Sequence, residues 1–145
     1  MTSPLSLELT LFVEHGRERE AANFYVMAFG ARETATYPRT GTPMAVDLEL
    51  AGLKVSVAGA NPNREREPWR GGPFFPKAAG AVGTVFRLTV ENIDTTMSAA
   101  TTAGATVRDA IQPDETGRRV AALFDPFGHI WALAEQTGSA ARLAA

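Results

Sequence analysis

Phe124-Asp125-Pro126-Phe127-Gly128-His129-Ile130-Trp131-Ala132-Leu133 is the stretch from which the fold is read. An apolar strand runs into an Asp-Pro-Phe-Gly-His turn and a second apolar strand follows. Proline presets φ at the second turn position, and Gly128 can take a positive φ later in the same turn. The stretch therefore predicts a tight hairpin.

Working outward, the chain repeats itself. Leu7-Glu8-Leu9-Thr10-Leu11-Phe12-Val13 alternates as a half-buried strand does, and Phe86, Leu88 and Val90 alternate with Arg87 and Thr89 in the same way. A helical pattern follows each strand. The first is expected at about Arg17 to Phe29, with Ala22, Tyr25, Val26 and Phe29 as its apolar stripe. The second is expected to start near Asp94 as N-cap, to bury Ile93, Met97 and Ala100, and to end at Gly104. Three strands follow each helix: Glu33–Tyr37, Ala45–Leu50 and Leu53–Ala58, then Thr106–Ile111, Arg119–Phe124 and Ile130–Glu135. Matching landmarks stay near 74 to 77 residues apart (Gly30 to Gly104, Ser56 to Ala132, Glu8 to Val85). The reading is α+β, one domain of two tandem β-α-β-β-β modules at about 5–60 and 82–136, a crossover at 61–81 and a short tail at 137–145.

The crossover holds four prolines, the charge run Arg64-Glu65-Arg66-Glu67, and the aromatics Trp69, Phe74 and Phe75. Prolines and glycines exclude long regular structure there. The aromatics either anchor the crossover against the core or a second subunit, or wall a ligand cavity, since long loops in compact domains are often functional.

Composition narrows the classes. A chain of 145 residues fits a single compact domain that buries about 68–70% of its unfolded surface. A net charge of −2 lacks the basic footprint of nucleic-acid binding. The chain has no cysteine, which excludes disulfides, thiolate metal sites and cysteine nucleophiles. No apolar run approaches a membrane span, and residues 1–7 show no secretory pattern. A cytoplasmic protein with no membrane or nucleic-acid partner is expected.

Three segments carry a family resemblance. Asn23 to Ala31 resembles the first-helix segment, Ala45 to Pro62 the third and fourth strands, and Asp125 to Ala134 the final hairpin, of the PhnB-like branch of the vicinal oxygen chelate superfamily. That is the glyoxalase, bleomycin-resistance and extradiol dioxygenase group. The resemblance implies curved mixed sheets around a cleft, a small-molecule ligand and a homodimer. It also implies metal-ligand slots on the first and last strands of each module, which here are Glu8, Ser56, Val85 and Ala132. Members often carry a glutamate where Ala132 stands. Val85 and Ala132 have no donor atom, Ser56 is a weak one, and a catalytic ion needs about three protein ligands plus an open position. Asp47 and Glu49 are neighbouring carboxylates, but Glu8 with Asp47 would hold a hard cation poorly. His15 and His129 fall in loops. No cofactor is expected, with a weakly held divalent metal as the alternative.

Strand alternation sets the cleft wall. If Leu9, Leu11 and Val13 face the helix, then Glu8, Thr10 and Phe12 face the cleft. Likewise Val85, Arg87 and Thr89 face it on the fifth strand, and Ile130, Ala132 and Ala134 on the last. With Asp47, Ser56, Trp69, Phe74 and Phe75 these residues form the candidate ligand site. It is apolar with sparse polar groups, as small-molecule sites are. Glu8 and Arg87 are the candidate catalytic pair. Either they pair with each other or reach solvent, or Arg87 holds an anionic or carbonyl group while Glu8 accepts a hydrogen bond or a proton. Three functions follow from these readings. One is a small-molecule binder that sequesters an antibiotic or metabolite. The second is a lyase, isomerase or epimerase of the same superfamily. The third is an interaction module without a ligand.

Overall fold

The computed structural model describes residues 5–39 and 42–137. Beyond Thr137 the expected tail lies outside the described residues. The element order is β1 (Leu9–Val13), α1 (Glu18–Phe29), β2 (Arg32–Arg39), β3 (Thr42–Leu50), β4 (Leu53–Gly59), β5 (Val85–Val90), α2 (Ile93–Thr102), β6 (Thr106–Pro113), β7 (Arg119–Phe124) and β8 (Ile130–Glu135). Short 3₁₀ turns at Arg64–Arg66 and Pro68–Arg70 lie between β4 and β5. The expected β-α-β-β-β order is present twice. The described residues divide into two compact units, 5–26 with 30–75 and 27–29 with 76–137.

Each unit carries one mixed four-stranded sheet, ordered β1-β4-β3-β2 in the first and β5-β8-β7-β6 in the second. The first and last strands of each module run parallel, and the other neighbours are antiparallel. Equivalent pairs confirm the repeat: Thr10 lies opposite Ser56, and Arg87 opposite Ala132. The β3–β4 turn is Ala51-Gly52, both at positive φ, as a two-residue I′ hairpin requires.

In the first unit, Leu11, Val13, Val46, Leu48, Val55 and Val57 are buried. They alternate with the Glu8–Thr10–Phe12 side of β1 and with Ser56 on β4, as expected. The α1 stripe differs from expectation. Phe24 is 2% exposed and Val26 39%, so the buried face is Ala21, Ala22, Phe24, Tyr25 and Ala28. The spacing i, i+3, i+4, i+7 starts at Ala21 rather than Ala22, and one residue turns the face by about 100°.

Salt bridges tie the first helix to its sheet. Arg19 donates to both carboxylate oxygens of Glu33 at 2.7 and 3.1 Å, and Thr36 Oγ1 donates at 2.6 Å. The hydrogen bonds from Arg19, then from Thr36, lower the Glu33 pKa from the ordinary 4.5 to about 2. A depressed carboxylate pKa contributes stability that is present above about pH 4.5 and is lost as pH falls through about 2. Glu33→Gln should therefore flatten the fall of the melting temperature between these pH values. An unchanged slope in calorimetric scans across that window would contradict the assignment.

In the second unit, Leu123, Trp131 and Leu133 point to the core with Val90, Ile93, Met97 and Ala100. Trp131 stacks against Phe29 at 4.6 Å and Phe86 at 4.8 Å between ring centroids. The N-cap of α2 is Asn92, not Asp94. Asn92 Oδ1 accepts from the Thr95 N–H at 3.1 Å, while Asp94 lies inside the helix and accepts from Arg119 at 2.8 Å. Asn satisfies a free N–H as well as Asp does, and the side chain two residues nearer β5 takes that place.

Candidate functional site

The concave face of the second sheet is built from three cross-strand rows. Arg87, Ala132 and Ala122 form the middle row, Thr89, Ala134 and Val120 one flank, and Val85 and Ile130 lie on the other. Alternation puts Phe86, Trp131 and Leu133 on the opposite, core-facing side. Two alanines beside Arg87 leave space where larger side chains would fill the face. The result is a concavity of about 530 Å³, in the range of small-molecule pockets.

Its floor is Val85, Val120, Ala122, Ile130, Ala132 and Ala134, and its polar lining includes Arg87, Thr89 and Gln112. The rim charges are already engaged. Arg108 Nη1 meets Asp109 Oδ2 at 2.6 Å. Asp114 accepts from the Thr116 hydroxyl and from the N–H groups of Thr116 and Arg118, and these bonds lower its pKa. Arg118 Nε donates to the Glu135 carbonyl at 2.7 Å. Arg87 differs, because among the described residues it has no hydrogen bond or ion pair. It is an exposed guanidinium without a protein partner that lines the concavity above an apolar floor, its fork of donors open to a ligand.

The corresponding face of the first unit is ionic, with one ammonium paired to two carboxylates. Lys54 Nζ stands 3.5 Å from Glu8 Oε1 and 3.5 Å from Asp47 Oδ2. Both carboxylates, Glu8 first, raise the Lys54 pKa. Glu8 precedes the first strand instead of lying within it, and its side chain is 61% exposed. The partner of Glu8 in its own unit is thus Lys54, which sequence reading missed. The parallel pairing of β1 with β4, Leu9 opposite Val55, is what brings position 54 beside position 8.

The sequence-predicted site residues therefore fall into two groups, Glu8, Thr10, Phe12, Asp47 and Ser56 in the first unit, Val85, Arg87, Thr89, Ile130 and Ala132 in the second. Trp69 is 77% exposed, Phe74 48%, and Phe75 half-buried. None of these three lines the 530 Å³ concavity. His129 is buried against Phe86 and away from the concave face.

The metal slots of the family do not fit an ion here. Val85 and Ala132 are hydrocarbon. The Glu8 and Asp47 carboxylates are both ion-paired to the Lys54 ammonium. Among the described residues no group of three or more His, Asp or Glu is placed to hold a metal.

Comparison with known proteins agrees with the fold. The family model described as the glyoxalase/bleomycin resistance protein/dioxygenase superfamily matches residues 11–133. An uncharacterized protein of Mycobacterium bovis, Mb0911c, is 32% identical over 116 residues, 79% of this chain and 74% of that one. Rv0887c of Mycobacterium tuberculosis, also uncharacterized, is 32% identical over 116 residues, 79% of this chain and 66% of its own length. Among solved structures, TioX from Micromonospora sp. ML1 superposes with a TM-score of 0.64 at 23% identity, covering 90% of this chain and 98% of its own. The fosfomycin resistance protein FosX from Mesorhizobium loti gives 0.61 at 16% identity, covering 99% of each chain. At these identities the two structures show the fold alone.

Proposed function

Because the chain belongs to the glyoxalase/bleomycin resistance protein/dioxygenase superfamily, we propose that it binds a small anionic molecule on the concave face of its second unit. The observation that carries this reading is the unpaired Arg87 over the alanine and valine floor. An apolar wall supplies burial, and the guanidinium fork fixes a carboxylate, phosphonate or phosphate group by paired hydrogen bonds. Thr89 and Gln112 are the polar groups beside it. Sequestration of an antibiotic or metabolite is the activity this arrangement suits. Within the superfamily we propose the PhnB-like branch, on the resemblance of segments 23–31, 45–62 and 125–134, and a homodimer as that resemblance implies.

Glu8 does not add a general base to this reading. It is exposed and ion-paired to Lys54, whereas a carboxylate tuned for proton transfer is usually desolvated. The donor set, with hydrocarbon at Val85 and Ala132 and Glu8 paired to Lys54, does not fit a metal.

The test is a thermal-shift and calorimetric screen with fosfomycin, aromatic carboxylates and peptide antibiotics. At least one anionic compound should stabilise the protein, and Arg87→Ala should weaken its binding about tenfold or more, the effect of one charge-assisted hydrogen bond or two. Stabilisation by none of them would favour the interaction-module reading instead, and binding indifferent to Arg87 would overturn the assignment of the ligand to this face. Stoichiometric metal in protein purified without chelator would overturn the metal-free reading.

A further inference from the structure

The first unit holds a second cavity, of about 370 Å³, and we propose that it is a binding site for a small organic carboxylate. It rests on residues other than those of the concave face of the second unit, so either proposal can fail alone.

The cavity forms where the parallel strands β1 and β4 end together, Val13 opposite Gly59. The Ala60 N–H donates to the Val13 carbonyl at 2.8 Å and pins the two chain exits side by side. His15 follows β1, Asn61 and Pro62 follow β4, and the crossover brings Arg64 and Pro73 over the opening. The crossover segment thus walls a cavity through its prolines and an arginine, not through its aromatics.

Three features point to a ligand. The first is Arg64, whose side chain is only 19% exposed and meets one anionic partner, Glu67 Oε1, at 3.5 Å. A guanidinium has five N–H donors, and a charge taken out of water needs them met. One contact at the limit of hydrogen-bonding distance leaves most of that capacity for a bound group. The second is His15. Its Nδ1 stands 3.8 Å from Oε1 of Glu18, whose side chain is 2% exposed. Its other ring nitrogen has no hydrogen-bond partner among the described residues. The imidazole, 46% exposed, lines the cavity beside this buried carboxylate with no hydrogen bond to it. The third is the wall of Phe12, Pro62 and Pro73, rigid and apolar, which suits a flat hydrocarbon body. A lining that combines a cationic fork, an imidazole and an amide with a phenyl ring and prolines fits a small aromatic acid.

Benzoate is the probe, with benzyl alcohol as the uncharged control, followed by backbone NMR on the full chain. Benzoate should saturably shift the amides of His15, Gly59 and Asn61 at millimolar concentration, and benzyl alcohol should not. Arg64→Ala should weaken these shifts about tenfold or more. Arg66→Ala, an exposed arginine on the same 3₁₀ turn, and Arg87→Ala should leave them unchanged. Should Arg64→Ala fail to fold, Arg64→Lys is read instead. It keeps the charge, removes the fork, and should also weaken binding. The proposal is overturned by the absence of saturable shifts at these residues, by an equal response to benzyl alcohol, or by binding that survives loss of the Arg64 fork.

Discussion

Asp125→Ala is expected to be among the most damaging single substitutions in the chain, costing about 3–5 kcal/mol of stability. The Asp125 side chain is the hub of the final hairpin. Oδ1 accepts from the Phe127 N–H at 2.9 Å and from the His129 N–H at 3.0 Å, and Oδ2 accepts from Trp131 Nε1 at 3.0 Å. The residue is 4% exposed, and Phe127, His129 and Trp131 are buried too. Removing the carboxylate leaves at least three buried donors without that acceptor. The same hub holds Gly128 at φ 97°, with the Pro76 ring packed so close that a Cβ would stand 2.7 Å from its Cβ. The turn therefore cannot relax easily around the loss. For a domain of this size the midpoint should fall by roughly 10 °C or more. Asp125→Asn keeps one acceptor oxygen and should cost less. Equal melting temperatures for Asp125→Ala and the wild type would remove the hub from the account of this hairpin.

That hub also shows how far the sequence could be read. The turn was legible from Pro126 and Gly128, whose backbone preferences are local. The strands Arg119–Phe124 and Ile130–Glu135 coincide with expectation because apolar alternation bounded by turn residues sets both ends. What the aspartate does was not legible, since one carboxylate reaches both its own turn and an indole six residues on. Similar reasons account for the other differences. The first strand begins at Leu9, because pairing with β4 starts there and Leu7 is 76% exposed. The sixth runs on to Pro113, because irregular register keeps Gln112 and Pro113 paired with β7.

The candidate site divides along the same line. The side of each strand facing the cleft followed from period-2 alternation, so Val85, Arg87, Thr89, Ile130 and Ala132 share one face as expected. Which charges remain unpaired did not follow. Lys54 reaches Glu8 only because the first and last strands of the module lie parallel. Arg64 lines one cavity with Phe12 and His15 only because the crossover turns back. Both juxtapositions join residues far apart in the chain, and neither has a local signature. Lys54 also sets an ammonium beside the two carboxylates of this face, a positive charge that the sequence pattern did not place there.

Gly59→Ala should cost about 2–4 kcal/mol, and the cost should depend on Glu18. Gly59 ends β4 in register with Val13. A Cβ there would overlap Glu18 Oε1 and stand 2.8 Å from its carboxyl carbon and 3.2 Å from His15 Cα. A flexible side chain usually gives way to such a methyl. Glu18 has little freedom to do so, being 1% exposed with Oε1 accepting from the Gly16 N–H at 2.7 Å. Moving it breaks that bond and strands a carboxylate among buried groups. In a Glu18→Ala background the space beside Gly59 opens, and the same methyl should cost less than about 1 kcal/mol, a coupling of roughly 1–3 kcal/mol between the two positions. Chemical denaturation of the four proteins in the cycle measures it. Equal costs in both backgrounds would place the strain at the His15 backbone and detach Glu18 from the wall of the second cavity. A large coupling would show that the small residue at the end of β4 exists to let a buried carboxylate stand behind His15.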